Sequence, residues 1–256
     1  MSILKEFQTD SLHTKIFDTR KNMGNAAGKD IAKTIRTLLS KKDEINMIFA
    51  AAPSQNETLE ALINEDGIDW SRINAFHMDE YIGLREDAPQ RFGKYLNDHI
   101  FSQVSFKTVN YINGSAADIE KECIRYASLL NTHPIDIVCL GIGENAHIAF
   151  NDPGVADFCD KFVIKSVELD EICRNQQVND GCFDTIGAVP THALSLTIPT
   201  LVSADYMFCS VPASTKAEAA YKTINNAITE DVPATIMRTH KNAIMYLDSE
   251  SGKLLL

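Results

Sequence analysis

The segment from Gly141 to Asp152, GIGENAHIAFND, carries the side chains in this sequence best suited to acid–base chemistry. It places an amide, an imidazole and a carboxylate within eight residues, at Asn145, His147 and Asp152. An imidazole is the side chain best suited to moving protons near neutral pH. We therefore expect a catalytic loop here. The alternative is that His147 is a structural histidine with satisfied hydrogen bonds.

A second polar segment, FHMDEYIG at 76–83, closes an apolar run with His77, Asp79 and Glu80. Acidic residues are uncommon inside strands. A carboxylate at this place serves as a general base if partial burial raises its pKa. Two alternatives stay open: ordinary turn chemistry at a strand exit, and a metal site using His77 and Asp79, for which no third ligand is spaced nearby.

Two further segments indicate an anion site. Ser54 and Glu57 have the S-x-x-E spacing of a capping box, at a helix start that follows an apolar run, and free N–H groups at such a start attract anions. Lys216 opens another predicted helix, where a cation opposes the helix dipole unless it recruits an anion. An ordinary cap and a solvated lysine are the alternatives. Arg174 is either an anion ligand or a surface charge.

The elements that must position these residues alternate along the chain. Short apolar runs predict strands, and the runs between them have helical spacing, which together predict a mostly parallel α/β sheet with helices on both faces. Active sites in such sheets lie at the carboxyl ends of the strands. Without repeats or a linker, we expect one domain over 1–256. The predicted strands are 45–51, 72–78, 135–143, 161–167, 193–198, 205–211 and 243–247, and the predicted helices are 22–40, 55–65, 92–100, 119–130 and 215–228.

Composition excludes several classes of partner. The 256 residues include 24 Lys and Arg against 35 Asp and Glu, a net charge of −11, which argues against a nucleic acid or an anionic membrane as the main partner. No apolar run approaches the ~18 residues that span a bilayer, and no secretion signal is evident. The six cysteines lack CxxC or CxH spacing, which predicts reduced thiols and no metal site. We expect a cytoplasmic protein.

At these residues the sequence resembles a known family. FHMDEYIGL and GIGENAHIAFNDPG are closely similar to the two signature motifs of glucosamine-6-phosphate deaminases, and the likeness extends in order over nearly the whole chain, through STKAEA and PATIMRTHKNAIMYLD. The resemblance implies a Rossmann-like fold, a homo-oligomer and chemistry without a cofactor. It also implies a phosphorylated amino sugar as substrate, which is isomerised from aldose to ketose and loses ammonia.

The resemblance also implies roles for the residues that match. Asp79 would move a proton between C2 and C1 of the sugar. His147 would assist ring opening, oriented by Asn145 and Asp152.

The resemblance implies a phosphate site as well. Lys216 would hold the phosphate together with the 53–57 loop, where Ser54 and Gln55 are assigned by position. Arg174 would replace a family arginine expected near residue 180.

Three departures from the family pattern keep alternatives open. The 50–57 segment, AAAPSQNE, lacks the usual Gly-, Ser- and Thr-rich composition, Asp152 stands where Glu is usual, and Ala146 replaces a glycine. If position 146 needs a positive φ, alanine costs roughly 1 kcal/mol there. The alternatives are a galactosamine-6-phosphate deaminase, a 6-phosphogluconolactonase and a sugar-phosphate sensor without turnover.

Overall fold

The computed structural model describes residues 2–179 and 181–256, in which eleven strands and seven α-helices alternate. The strands are β1 (Ile3–Thr9), β2 (Leu12–Phe17), β3 (Ile45–Phe49), β4 (Ile73–His77), β5 (Asp79–Tyr81), β6 (Thr108–Asn110), β7 (Ile137–Leu140), β8 (Ile164–Glu168), β9 (His192–Leu196), β10 (Tyr206–Val211) and β11 (Ala243–Leu247). The helices are α1 (Arg20–Leu39), α2 (Asn56–Ile63), α3 (Phe92–Leu96), α4 (Ile119–Thr132), α5 (Glu171–Asn179), α6 (Ile198–Val202) and α7 (Ala217–Asn225).

Eight strands form the main sheet, in the order β1-β2-β11-β10-β7-β3-β4-β6. Every neighbouring pair is parallel except β1 with β2. Every residue of β3, β4 and β7 is buried, which explains why these strands read as continuous apolar runs. The predicted α/β class, with a mostly parallel sheet and helices on both faces, is confirmed.

The core lies on both faces of this sheet. Met47 and Phe49 pack into a cluster that includes the apolar face of α1, whereas Ile48 packs into the cluster on the opposite side. This division follows from the two-residue period of a strand. On that opposite side, Tyr126 and Leu130 of α4 cover the sheet.

Two of the predicted strands do not belong to the main sheet. The segments predicted at 161–167 and 193–198 are β8 and β9, which pair antiparallel and join β5 in a separate sheet of order β5-β9-β8. The alternation of strands and helices suggested parallel crossovers here. However, α5 and the turns after it bring the chain back in the opposite direction, so β9 runs against β8.

The β1–β2 hairpin was not predicted. Its first strand lies at the edge of the sheet and is mostly exposed, with Ile3 and Leu4 about half accessible. A solvated edge strand lacks the apolar run that marks a buried one.

Among the described residues, no helix combines the length and apolar character needed to cross a membrane. None of the cysteines, all of which are described, forms a disulfide.

Candidate active site

The four polar segments meet at one edge of the main sheet. The strands that they follow, β10, β7, β3 and β4, are consecutive neighbours. Residues 50–54, 78–79, 141–143, 212–213 and 215–216 therefore converge, and they line one cavity of about 420 Å³. That volume lies in the range of small-molecule sites. The cavity lies at the carboxyl ends of these strands, where parallel sheets usually carry their sites.

Asp79 lines this cavity and is only 7% exposed. Burial and the neighbouring Glu80 raise the pKa of its carboxyl well above the usual value. The backbone of Asp79 is fixed by His77, whose Nδ1 lies 2.9 Å from the Asp79 carbonyl and whose Nε2 accepts from the Ile112 amide at 2.8 Å. Burial lowers the pKa of His77 to about 3, so the ring is neutral. Both ring nitrogens serve the backbone, which leaves neither for a metal shared with Asp79.

Glu80 anchors one wall of the cavity. Its buried carboxylate accepts hydrogen bonds from the backbone amides of Tyr81 at 2.9 Å, Phe92 at 3.1 Å and Gly93 at 3.0 Å. These bonds fix the start of α3, whose Phe92 and Tyr95 line the cavity. Glu80 therefore holds the cavity wall in place through its backbone hydrogen bonds, whereas the neighbouring Asp79 lines the cavity itself.

His147 is held at two points. Its Nδ1 lies 2.7 Å from Asp152 Oδ1, and its backbone amide donates to Asn145 Oδ1 at 3.1 Å. Asn145 Nδ2 also donates to Asp152 Oδ1 at 2.9 Å and to Asp170 Oδ2 at 3.1 Å. Burial by itself would raise the pKa of Asp152, but the contacts with His147 and Asn145 bring it below its usual value. A carboxylate on Nδ1 leaves Nε2 of His147 for a substrate atom.

The backbone of this loop adopts unusual conformations. Ala146 has a φ of 66° and Ala149 a φ of 49°, so alanine occupies the left-handed region at both positions. Position 146 therefore has a positive φ, which is the case in which alanine costs roughly 1 kcal/mol there. Gly143 has no room for a side chain, because a Cβ there would lie 2.2 Å from Cε1 of His147. Only glycine lets the imidazole ring lie against this strand exit.

Lys216 and Ser54 line the other side of the cavity, beside Thr215. Gln55 is buried and does not line it; its Nε2 donates to Ser54 Oγ at 3.0 Å and to the Ser210 carbonyl at 3.3 Å.

The predicted capping box is wrong. A 3₁₀ turn over Pro53–Gln55 precedes α2, so Gln55 takes the N-cap position and makes no side-chain cap bond.

Arg20 is a cavity residue that the sequence reasoning missed. Its Nε lies 2.7 Å from Glu57 Oε1, and its Nη2 donates to the Pro53 carbonyl. The guanidinium is therefore braced against the 53–57 loop. One signal was available: α1 begins with Arg20 and Lys21 and has no acidic residue in its first turn, although a cation there opposes the dipole.

Arg174 lies outside this cavity. Its Nη2 donates to the carbonyls of Ile186 at 2.8 Å and Val189 at 3.0 Å, beside a separate surface depression. The same helix instead presents Gln176 and Gln177 to the cavity. The structure therefore places Arg174 away from the cavity, and α5 contributes two amides there, which are uncharged donors and acceptors.

The chain is similar to known proteins over most of its length. The family of glucosamine-6-phosphate isomerases and 6-phosphogluconolactonases matches residues 18–161. A glucosamine-6-phosphate deaminase of Listeria innocua is 36% identical over 212 residues, which cover 83% of this chain and 88% of that protein. One of Clostridium acetobutylicum is 32% identical over 239 residues, which cover 91% and 95%.

Solved structures show the same fold. A monomeric glucosamine-6-phosphate deaminase superposes with a TM-score of 0.84 at 30% identity, covering 94% of this chain and 99% of its own. A 6-phosphogluconolactonase of Thermotoga maritima superposes with a TM-score of 0.74 at 18% identity, covering 93% and 99%, a likeness that concerns the fold alone. The chain belongs to the glucosamine-6-phosphate isomerase/6-phosphogluconolactonase family.

Proposed function

We propose that this chain is an enzyme that isomerises and deaminates glucosamine 6-phosphate, giving fructose 6-phosphate and ammonia with its own side chains alone. The observation that carries the proposal is one cavity faced by a buried carboxyl, Asp79, by a carboxylate-bound imidazole, His147, and by a buried cation, Lys216. The relatives named as glucosamine-6-phosphate deaminases support the same reaction.

In the proposed mechanism, His147 first opens the sugar ring. Its Nε2 takes the proton of the C1 hydroxyl and returns a proton to the ring oxygen, while Asp152 stabilises the imidazolium that forms in between. Asn145 fixes the loop backbone, so the ring keeps its orientation during both transfers.

Asp79 then moves a proton from C2 to C1. Asp79 takes the C2 proton while the substrate's ammonium group gives a proton to O1, which leaves an enolamine, and Asp79 then protonates C1 to give an iminium at C2. Addition of one water at C2 and departure of the nitrogen as ammonium complete the ketose, with Asp79 again ionised. A raised pKa makes this carboxylate a stronger base than an exposed aspartate, which suits removal of a proton from carbon.

The substrate phosphate is expected at the opposite side of the cavity. Lys216 supplies the buried charge, Ser54 a hydroxyl donor, and Arg20 a guanidinium already braced by Glu57 and Pro53. Two cations partly replace the glycine-rich loop that the sequence lacks. Gln176 and Gln177, on the wall formed by α5, are placed to contact sugar hydroxyls.

Ammonia release from a substrate panel tests the proposal. The panel holds glucosamine 6-phosphate, galactosamine 6-phosphate and N-acetylglucosamine 6-phosphate, with hydrolysis of 6-phosphogluconolactone assayed in parallel. We expect release from glucosamine 6-phosphate. Release only from the galactose isomer, or only lactone hydrolysis, would move the assignment to that alternative. Thermal stabilisation by a sugar phosphate without any turnover would support the sensor.

A homo-oligomer and a cytoplasmic location remain predictions. The similar solved structure is described as monomeric, so the assembly state needs its own measurement. Light scattering of the purified protein measures it directly, and a mass of one chain, 28.4 kDa, would contradict the predicted oligomer.

A further inference from the structure

A third potential metal ligand lies behind the catalytic imidazole. Cys173, in the first turn of α5, brings its Sγ close to His147 and Asp152, and one donor atom from each of the three residues lies within 4.8 Å of the others. Asp152 and Cys173 are fully buried and His147 is 9% exposed. The backbone amide of Cys173 donates to Asp170 Oδ1 at 2.5 Å, which fixes the thiol in this place.

The surroundings of the three residues are strongly negative. Asp152 and Asp170 both accept from the one amide of Asn145. The carboxylates of Asp152, Asp170 and Asp79 all lie near enough to the Cys173 thiol to act on it electrostatically. The Cys173 thiol donates a hydrogen bond to Asp152, and the backbone of Asp170 contacts the same carboxylate. A cation bound between the three residues would therefore take the place of the thiol proton, which already lies against Asp152.

The ligand types select the class of cation. An imidazole nitrogen, a thiolate sulfur and a carboxylate oxygen are the ligands of Zn²⁺ and similar borderline-soft ions, whereas Mg²⁺ and Ca²⁺ prefer oxygen alone. We propose that His147, Asp152 and Cys173 form a binding site for a thiophilic divalent cation such as Zn²⁺, and that occupancy of this site inhibits the enzyme. No CxxC spacing marks the site, because its ligands come from separate parts of the chain.

The inhibition follows from the proton balance. The cation takes the position between His147 Nδ1 and Asp152, the Nδ1 proton moves to Nε2, and the thiol proton of Cys173 is released to solvent. With Nε2 protonated and the ring fixed to the cation, His147 no longer accepts the proton of the C1 hydroxyl. This consequence rests on the proposed function, whereas binding of the cation does not.

Zinc titration of ammonia release tests the inhibition, starting from protein freed of metal by a chelator. We expect Zn²⁺ to inhibit the wild type. Cys173→Ser and Cys173→Ala should keep turnover and need at least about tenfold more zinc for half inhibition. Two matched controls, Cys182→Ser at the cavity wall and Cys159→Ser at an exposed site, should keep the wild-type sensitivity. Relief by Cys182→Ser instead would overturn the assignment.

Co²⁺ binding tests the site without any activity. We expect the wild type to show a thiolate-to-cobalt charge-transfer band that both Cys173 variants lose while their melting curves show a folded protein. Cobalt bound without that band, or a band that survives in the variants, would refute the site. A cobalt band in a protein that releases no ammonia from any sugar phosphate would keep the metal site and reject the proposed function.

Discussion

Catalysis and stability favour opposite ionisation states of the Asp79 carboxyl. Burial and Glu80 raise its pKa, yet the proposed base works only when ionised. We predict that kcat/KM falls on the acid side at a pH above the usual aspartate range, because the free enzyme is inactive below the raised pKa. A pH–rate profile measures this limb. An acid limb within the usual aspartate range would show that Asp79 is not the group that titrates.

Asp79→Asn should slow turnover strongly and stabilise the fold. We expect kcat to fall by about 10²–10⁴, the usual contribution of a general base. Because the folded pKa is raised, ionisation penalises the folded state once the pH exceeds the unfolded pKa, and this cost grows until the folded pKa is passed. Removing the charge should therefore raise the melting temperature at pH 7 but not at pH 3. Asp231→Asn, at an exposed site, is the control; an equal gain there would refute the argument.

Lys216→Ala and Arg20→Gln should act mainly on KM, because both cations are expected to hold the phosphate in ground state and transition state alike. Glu57→Gln distinguishes this from a structural role of Arg20, since it removes the brace but keeps the guanidinium. The measurement is KM for the sugar phosphate and inhibition by inorganic phosphate. Equal effects of Arg20→Gln and Glu57→Gln would mean that Arg20 only supports the loop.

At the scale of elements, the contact between α1 and α2 positions the phosphate side of the cavity. A Cβ at Gly24 would lie 2.4 Å from Glu57 Cβ and 2.7 Å from its backbone carbon. Gly24→Ala should therefore push the helices apart, lower the free energy of unfolding by about 1–3 kcal/mol and raise KM as Arg20 shifts. Urea denaturation measures the first effect. Gly187→Ala, where the nearest other side-chain atom is 4.0 Å away, is the matched control.

The sequence predicted those elements whose stability is local or buried on both faces. The sequence predicted β3, β4, β7, β10 and β11 because strands that are covered on both faces consist mostly of apolar residues. The sequence did not predict the separate β5-β9-β8 sheet, because the direction in which these strands pair depends on where α5 packs.

The site was predictable to the same extent. Asp79, His147 and Lys216 lie in the segments that follow β4, β7 and β10, so the topology brings these segments to one cavity. Arg20 reaches it only because α1 packs on α2, and the failed capping box depends on a 3₁₀ turn that the S-x-x-E spacing does not reveal. Cys173 stayed hidden because its partners lie on a different segment.

At the scale of the whole molecule, the main sheet joins distant parts of the chain. His13 of β2 pairs with Ile244 of β11, whereas β3 and β4 are close in sequence. Pairing across a longer loop costs more entropy and forms later. In pulse-labelled hydrogen exchange during refolding, amides of β2 should therefore gain protection together with β11, after β3 and β4. Protection of β2 ahead of β3 would show that the β1–β2 hairpin forms by itself.

The pairing of β2 with β11 also determines when β2 can complete its hydrogen bonds during translation. A ribosome releases β2 (Leu12–Phe17) long before β11 (Ala243–Leu247). Until then, β2 has only β1 beside it, and Leu12 and Ile16, both fully buried in the finished sheet, lack the neighbouring strand β11. The nascent chain must carry this incompletely paired apolar strand until β11 emerges, which gives a ribosome-associated chaperone a long time to act on the hairpin.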